Sequence, residues 1–195
     1  MKKALSLILA LVLCLSLCAC GGKKSPIVGT WHTYAVGATS TYTFTKDGKY
    51  TLEIEGSVEA ESDGEYTFNQ EDGTIILCDE DGNETTQEIE LRDCCMILND
   101  VKYGKVYDDK DSCEVLNDVL GKWVHTSLEG TYLKFKKDGT CSLTTPDGKD
   151  KGIYIYDPVL KQIEIPAANL IFEFEETTDG IELNATNARG LYFKR

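Results

Sequence analysis

Along most of this chain apolar and polar residues alternate one by one. Tyr42 and Phe44 alternate with Thr41, Thr43 and Thr45, and Tyr50, Leu52 and Ile54 with Thr51, Glu53 and Glu55. Tyr66 and Phe68 alternate with Glu65 and Thr67, and Ile89 and Leu91 with Glu88 and Glu90. Further on, Leu133 and Phe135 alternate with lysines, and Leu170, Phe172 and Phe174 with Ile171, Glu173 and Glu175. A period of two with one polar face predicts half-buried antiparallel strands. Asp-Gly dipeptides begin at 47, 63, 72, 81, 138, 147 and 179. Asp-Gly suits the positive φ of tight hairpin turns, so these are the expected corners. No long helical period competes; "DSCEVLNDVLGKW" predicts one short helical turn.

The pattern occurs twice. "VGTWHTY" at 28–34 answers "LGKWVHT" at 120–126, and "YTFTKDGKYTL" at 42–52 answers "LKFKKDGTCSL" at 133–143. "DGEYTFN" at 63–69 answers "KGIYIYD" at 151–157, "GTIIL" at 73–77 answers "KQIEI" at 161–165, and "YGKVY" at 103–107 answers "RGLYF" at 189–193. The offset drifts from 92 through 91 and 88 to 86 residues, as small loop deletions produce. We therefore expect one unit over 27–109 and a second over 114–195, joined by the polar "DDKDS". Seven or eight short neighbouring strands per unit should close on themselves, because closure removes exposed edges. The expected fold is all-β: two tandem small antiparallel meander barrels.

Gly-x-Trp at the first strand, then Phe, then Asp-Gly, and an aromatic last strand make each unit resemble the small lipocalin-like domains of bacterial lipoproteins. The resemblance implies that Trp31 and Trp123 pack across the closed bottom of each barrel. Trp31, Phe44, Tyr66, Trp123, Phe135 and Tyr154 are the candidates for ligand-lining or core-plugging aromatics, and Tyr42, Phe68 and Phe172 pose the same choice. A unit this short needs most of its apolar side chains for stability, which favours plugging.

The N-terminus reads MKKALSLILALVLCLSLCA: two lysines, then an uncharged apolar run shorter than the ~20 residues a membrane-spanning helix needs. That is the layout of a secretory signal peptide over 1–19. Its end, Leu17-Cys18-Ala19-Cys20, resembles the lipobox of bacterial lipoproteins. The resemblance implies that Cys20 carries diacylglycerol, becomes the new N-terminus, and holds the chain on the extracytoplasmic face of a membrane. Residues 20–26 then form a lipidated tether, since two or more acyl chains give a stable hold.

The chain has 20 basic and 33 acidic residues, a net charge of −13. Loss of the leader leaves 18 basic against 33 acidic, a net charge of −15. Such a chain is a poor nucleic-acid binder. Cys78, Cys94, Cys95, Cys113 and Cys141 follow the anchor; they are odd in number and lack CxxC spacing, so most read as small buried apolar residues. His32 and His125 sit at different distances from their tryptophans, on opposite strand faces, which argues against a shared metal site. "CDEDGNE" at 78–84 lacks the full calcium-loop pattern and reads as an acidic hairpin turn. There is no Gly-x-Ser-x-Gly elbow, phosphate loop or HExxH. No catalytic residue, metal or cofactor is expected, and the protein is expected to be a monomer. The expected function is a non-catalytic binding module, for a small apolar or amphipathic ligand, a glycan or a protein partner. The alternatives are an accessory lipoprotein with filled barrels and, given the many carboxylates, a glycan-active enzyme.

Overall fold

The computed structural model describes residues 25–108, 114–178 and 180–195. The leader, Cys20 and the 109–113 joint with Cys113 lie outside the described residues. The alternating segments form strands, and the fold is all-β. The first eight are β1 (Gly29–Ala35), β2 (Ala38–Phe44), β3 (Lys49–Gly56), β4 (Ala60–Asn69), β5 (Thr74–Asp79), β6 (Glu84–Leu91), β7 (Cys95–Leu98) and β8 (Val101–Val106). Each pairs antiparallel with the next, and β1 also pairs with β8, so the sheet is a closed barrel. The order places β6 between the Cys78 strand and the Cys95 strand.

The expected helical turn is a 3-10 helix, Glu114–Asp118. It leads into β9 (Gly121–His125), β10 (Tyr132–Phe135), β11 (Thr140–Thr145), β12 (Gly148–Ile153), β13 (Ile155–Asp157), β14 (Gln162–Ile165), β15 (Leu170–Thr177), β16 (Gly180–Ala185) and β17 (Tyr192–Lys194). This sheet runs β12-β11-β10-β9-β17-β16-β15-β14-β13. Its two edges, β12 and β13, are consecutive in the chain and joined through Tyr154, so the ring closes through the backbone of one divided strand. In the first barrel the corresponding β4 is continuous, and Gly64 and Glu65 pair with both neighbours. In the second barrel no residue of β12 or β13 does so.

Local hydrogen bonds recur between the barrels. Trp31 Nε1 donates to the Ile27 carbonyl and Trp123 Nε1 to the Val119 carbonyl, both at 2.8 Å. Tyr66 donates its hydroxyl to Thr45 O (2.8 Å), and Tyr154 donates its own to Lys136 O (2.9 Å). Among the Asp-Gly pairs, 63–64 departs from the expectation: it is interior to β4, not a corner. A Cβ on Gly64 would lie 2.0 Å from the Cys78 carbonyl oxygen, so the glycine permits a close backbone approach in a tightly curved sheet. Gly48, Gly73, Gly82 and Gly139 have the positive φ that corners require.

The two barrels pack together through the outer face of the first. His32, Gly104 and Cys95 are cross-strand partners in one row over β1, β8 and β7. Gly104 meets the backbone of β13: a Cβ there would lie 2.9 Å from Tyr154 O. His32 lies on Gly139, where a Cβ would come within 2.5 Å of the ring. Beside this row Arg92 and Lys102 of the first barrel pair with Asp157 and Glu164 of the second. Asp157 is only 1% exposed, and its other oxygen accepts the Val159 and Leu160 N–H groups. Cys94 and Tyr107, from the end of the first barrel, belong to the hydrophobic cluster that surrounds Trp123.

Candidate functional site

Each barrel has a cup at corresponding positions. In the first, a cavity of about 200 Å³ is lined by Tyr42, Tyr50, Leu52, Ser62, Leu77, Asp79, Asn83, Thr85 and Gln87. In the second, a cavity of about 290 Å³ is lined by Leu133, Cys141, Leu143, Asp150, Lys151, Gly152, Ile165, Ala167, Ala168 and Leu170. Leu133, Cys141 and Leu143 stand 91 residues after Tyr42, Tyr50 and Leu52; Asp150, Ile165 and Ala167 stand 88 after Ser62, Leu77 and Asp79. These are the offsets of the sequence repeat. Six matching positions therefore line both cups, with different chemistry.

The second cup is apolar. Strand alternation turns Leu133, Cys141, Leu143 and Ile165 inward, and the short 3-10 helix Pro166–Ala168 brings Ala167 and Ala168 over the rim. The cup opens beside the divided strand, between β12 and β14. Its polar groups are Asp150 and Lys151. Cys141 donates its thiol to the Ile153 carbonyl (3.6 Å), and burial pushes that thiol up to about 12, so it remains protonated and is no nucleophile. A cavity of this size approaches the lower limit of ordinary small-molecule sites and has their usual apolar lining.

The first cup is polar. Its floor holds Tyr42 and Tyr50, 7% and 5% exposed, with Tyr103 against Tyr42 at 5.6 Å between ring centroids. Burial, then the neighbouring Tyr103 and Tyr50, push the Tyr42 hydroxyl up to about 12. The 78–84 segment is the acidic hairpin turn expected from sequence and forms part of the rim. Asp79 accepts the Asn83 N–H at 2.8 Å and its amide at 3.0 Å, which holds its carboxyl below the usual range.

The aromatics singled out from sequence lie elsewhere in the cores. Trp31, Phe44, Trp123, Phe135 and Tyr154 are buried, and Tyr66 is half-buried. Phe44 packs edge-on to Tyr66 at 5.0 Å, and Phe135 edge-on to Tyr154 at 4.9 Å. None of the six lines either cup. Tyr42, which poses the same choice in the sequence, does line the first cup; it sits two positions from Phe44 on the same inward face, as the missed Leu133 of the second cup sits beside Phe135. The alternation marks both alike, and only the switch from apolar to polar inward residues along β5 and β6 (Leu77 to Asp79, Ile89 to Gln87 to Thr85) signals a mouth.

The histidines are apart. His125 accepts the Ser127 and Leu128 N–H groups on Nδ1, both at 3.0 Å, while Nε2 bonds Gly190 O at 3.1 Å. His32 lies between the barrels. Cys95 and Cys141 are buried free thiols, Cys78 is a half-buried one, and Cys94 is buried. Among the described residues no group of three or more His, Cys, Asp or Glu is placed to hold a metal ion.

No protein-family model matches the chain, and no curated protein matches it. Two solved structures are similar. A lipoprotein YedD from Klebsiella pneumoniae subsp. pneumoniae is 14% identical with a TM-score of 0.34, over 45% of this chain and 78% of that one. The Cpx pathway activator NlpE from Escherichia coli is 13% identical with a TM-score of 0.30, over 82% of this chain and 92% of that one. Likeness of this size does not transfer a function.

Proposed function

We propose that the protein is a lipid-anchored, extracytoplasmic, non-catalytic binding module whose second barrel takes a small apolar or amphipathic molecule. The observation that carries the ligand reading is the apolar cup of about 290 Å³ bounded by Leu133, Leu143, Ile165 and Leu170. Burying an apolar guest there gains ~25 cal/mol per Å² covered, and Asp150 and Lys151 at the rim suit a polar head. Trp31 and Trp123, with their aromatic neighbours, act as plugs that rigidify the barrels around the cups. The anchor reading rests on Leu17-Cys18-Ala19-Cys20 and the apolar run before it. The module comprises two barrel units, 27–109 and 114–195, behind the tether.

A titration tests the ligand reading. The chain from Gly21 on, free of its anchor, is titrated with N-phenyl-1-naphthylamine, a neutral dye that brightens in apolar surroundings. Saturable brightening is expected, weakened at least tenfold by Leu143→Arg, which sets a charge in the half-buried rim. Absence of brightening would favour the alternative, an accessory lipoprotein with filled barrels. The anchor is checked separately: Cys20→Ala should abolish acylation and leave the chain either soluble or as uncleaved precursor. A variant that still carries lipid would exclude Cys20.

A further inference from the structure

The first cup asks for a different guest. Tyr42, Tyr50 and Tyr103 are at least nine-tenths buried, yet among the described residues none of their hydroxyls makes a hydrogen bond. Tyr66 and Tyr154, by contrast, each spend their hydroxyl on a backbone carbonyl. The three hydroxyl oxygens are not sealed from solvent, so they are open to water or to a ligand. Tyr42 and Tyr50 border the cavity itself. Around the floor stand Ser62, Thr85, Gln87 and the Asp79–Asn83 turn.

We propose that the first barrel binds a small uncharged polyhydroxylated molecule, the size of one sugar ring, on the hydroxyl floor of Tyr42 and Tyr50. The class follows by elimination. An apolar guest would leave the phenols unpaired. An anion meets no Lys, Arg or His in the lining and a protein of net charge −13. A cation would want a free carboxylate, but Asp79 is held by Asn83. Phenols, hydroxyls and an amide all both donate and accept, which matches a ring of hydroxyl groups. The cavity of about 200 Å³ holds roughly seven waters at ~30 Å³ each, or one such ring in their place. The matching positions of the second barrel carry Leu133 and Cys141 instead of the two tyrosines, so the reading is specific to the first cup and stands apart from the apolar guest of the second.

The test uses the mature, lipidated chain in phosphocholine nanodiscs and a panel of glucose, galactose, mannose and N-acetylglucosamine, read by saturation-transfer NMR and calorimetry. At least one sugar should bind saturably. Tyr42→Phe and Tyr50→Phe should each weaken it three- to tenfold, since each deletes one hydrogen bond without changing shape. Tyr66→Phe, outside the cup, should not. Ser62→Phe, which fills the cup, should abolish sugar binding while dye binding to the second cup persists; Leu143→Arg should do the reverse. The proposal is overturned if no panel sugar binds, if Tyr42→Phe and Tyr50→Phe bind like the parent, or if choline occupies this cup in preference to every sugar.

Discussion

His32 shows how one residue can depend on another far away in sequence. Its ring is 6% exposed, pressed on Gly139, and its Nε2 has no hydrogen-bond partner among the described residues. Burial pushes its pKa below the ordinary 6.5, against weaker upward pulls from the Tyr154 backbone and Asp138. As pH falls below 6.5 the unfolded chain takes up a proton that the folded chain resists, so stability falls with falling pH. We expect urea midpoints of the parent to drop between pH 7 and pH 5, and those of His32→Gln to drop less. Equal slopes would show that the ring is not held neutral. None of this was legible in the sequence, where His32 is simply an outward position beside Trp31. Alternation separates inside from outside but cannot tell water from a neighbouring barrel. Gly139, read correctly as a corner, has a second duty for the same reason: it has φ +74° and also makes room for the imidazole.

At the scale of elements, the strands and most corners follow from alternation and Asp-Gly, and two departures have physical causes. Asp63-Gly64 continues β4 because the backbone of β5 approaches too closely for a side chain. The strand equivalent to β4 in the second barrel divides at Tyr154, where the backbone meets the outer face of the first barrel at Gly104. The contact at β13 is fastened by Asp157, whose carboxylate joins Arg92 and Lys102 across the barrels. Removing one member of a buried pair costs ~3–5 kcal/mol. Arg92 and Lys102 keep some access to water, 15% and 22% by side chain, which puts the expected loss for Asp157→Asn near ~3 kcal/mol in urea denaturation. A loss under ~1 kcal/mol, the value of an exposed pair, would mean the barrels do not rely on this contact. Sequence charge alone could not have selected Asp157 from so many acids.

For the whole molecule, the chain builds two barrels, and six lining positions at matching offsets of 91 and 88 residues carry unlike side chains in the two cups. Trp31 and Trp123, legible at once as large aromatics at equivalent first strands, are buried in the cores. The cups were less legible because a lining residue and a core residue share the same inward alternation. Entry of an apolar guest into the second barrel is tested by methyl-labelled NMR of the chain from Gly21 on, titrated with the same naphthylamine dye. Saturable shifts are expected at Leu133, Leu143, Ile165 and Leu170, with Ile75 and Ile89 in the first barrel unmoved. Shifts centred on Ile75 and Ile89, or no saturable shift at any of the four cup methyl groups, would contradict it.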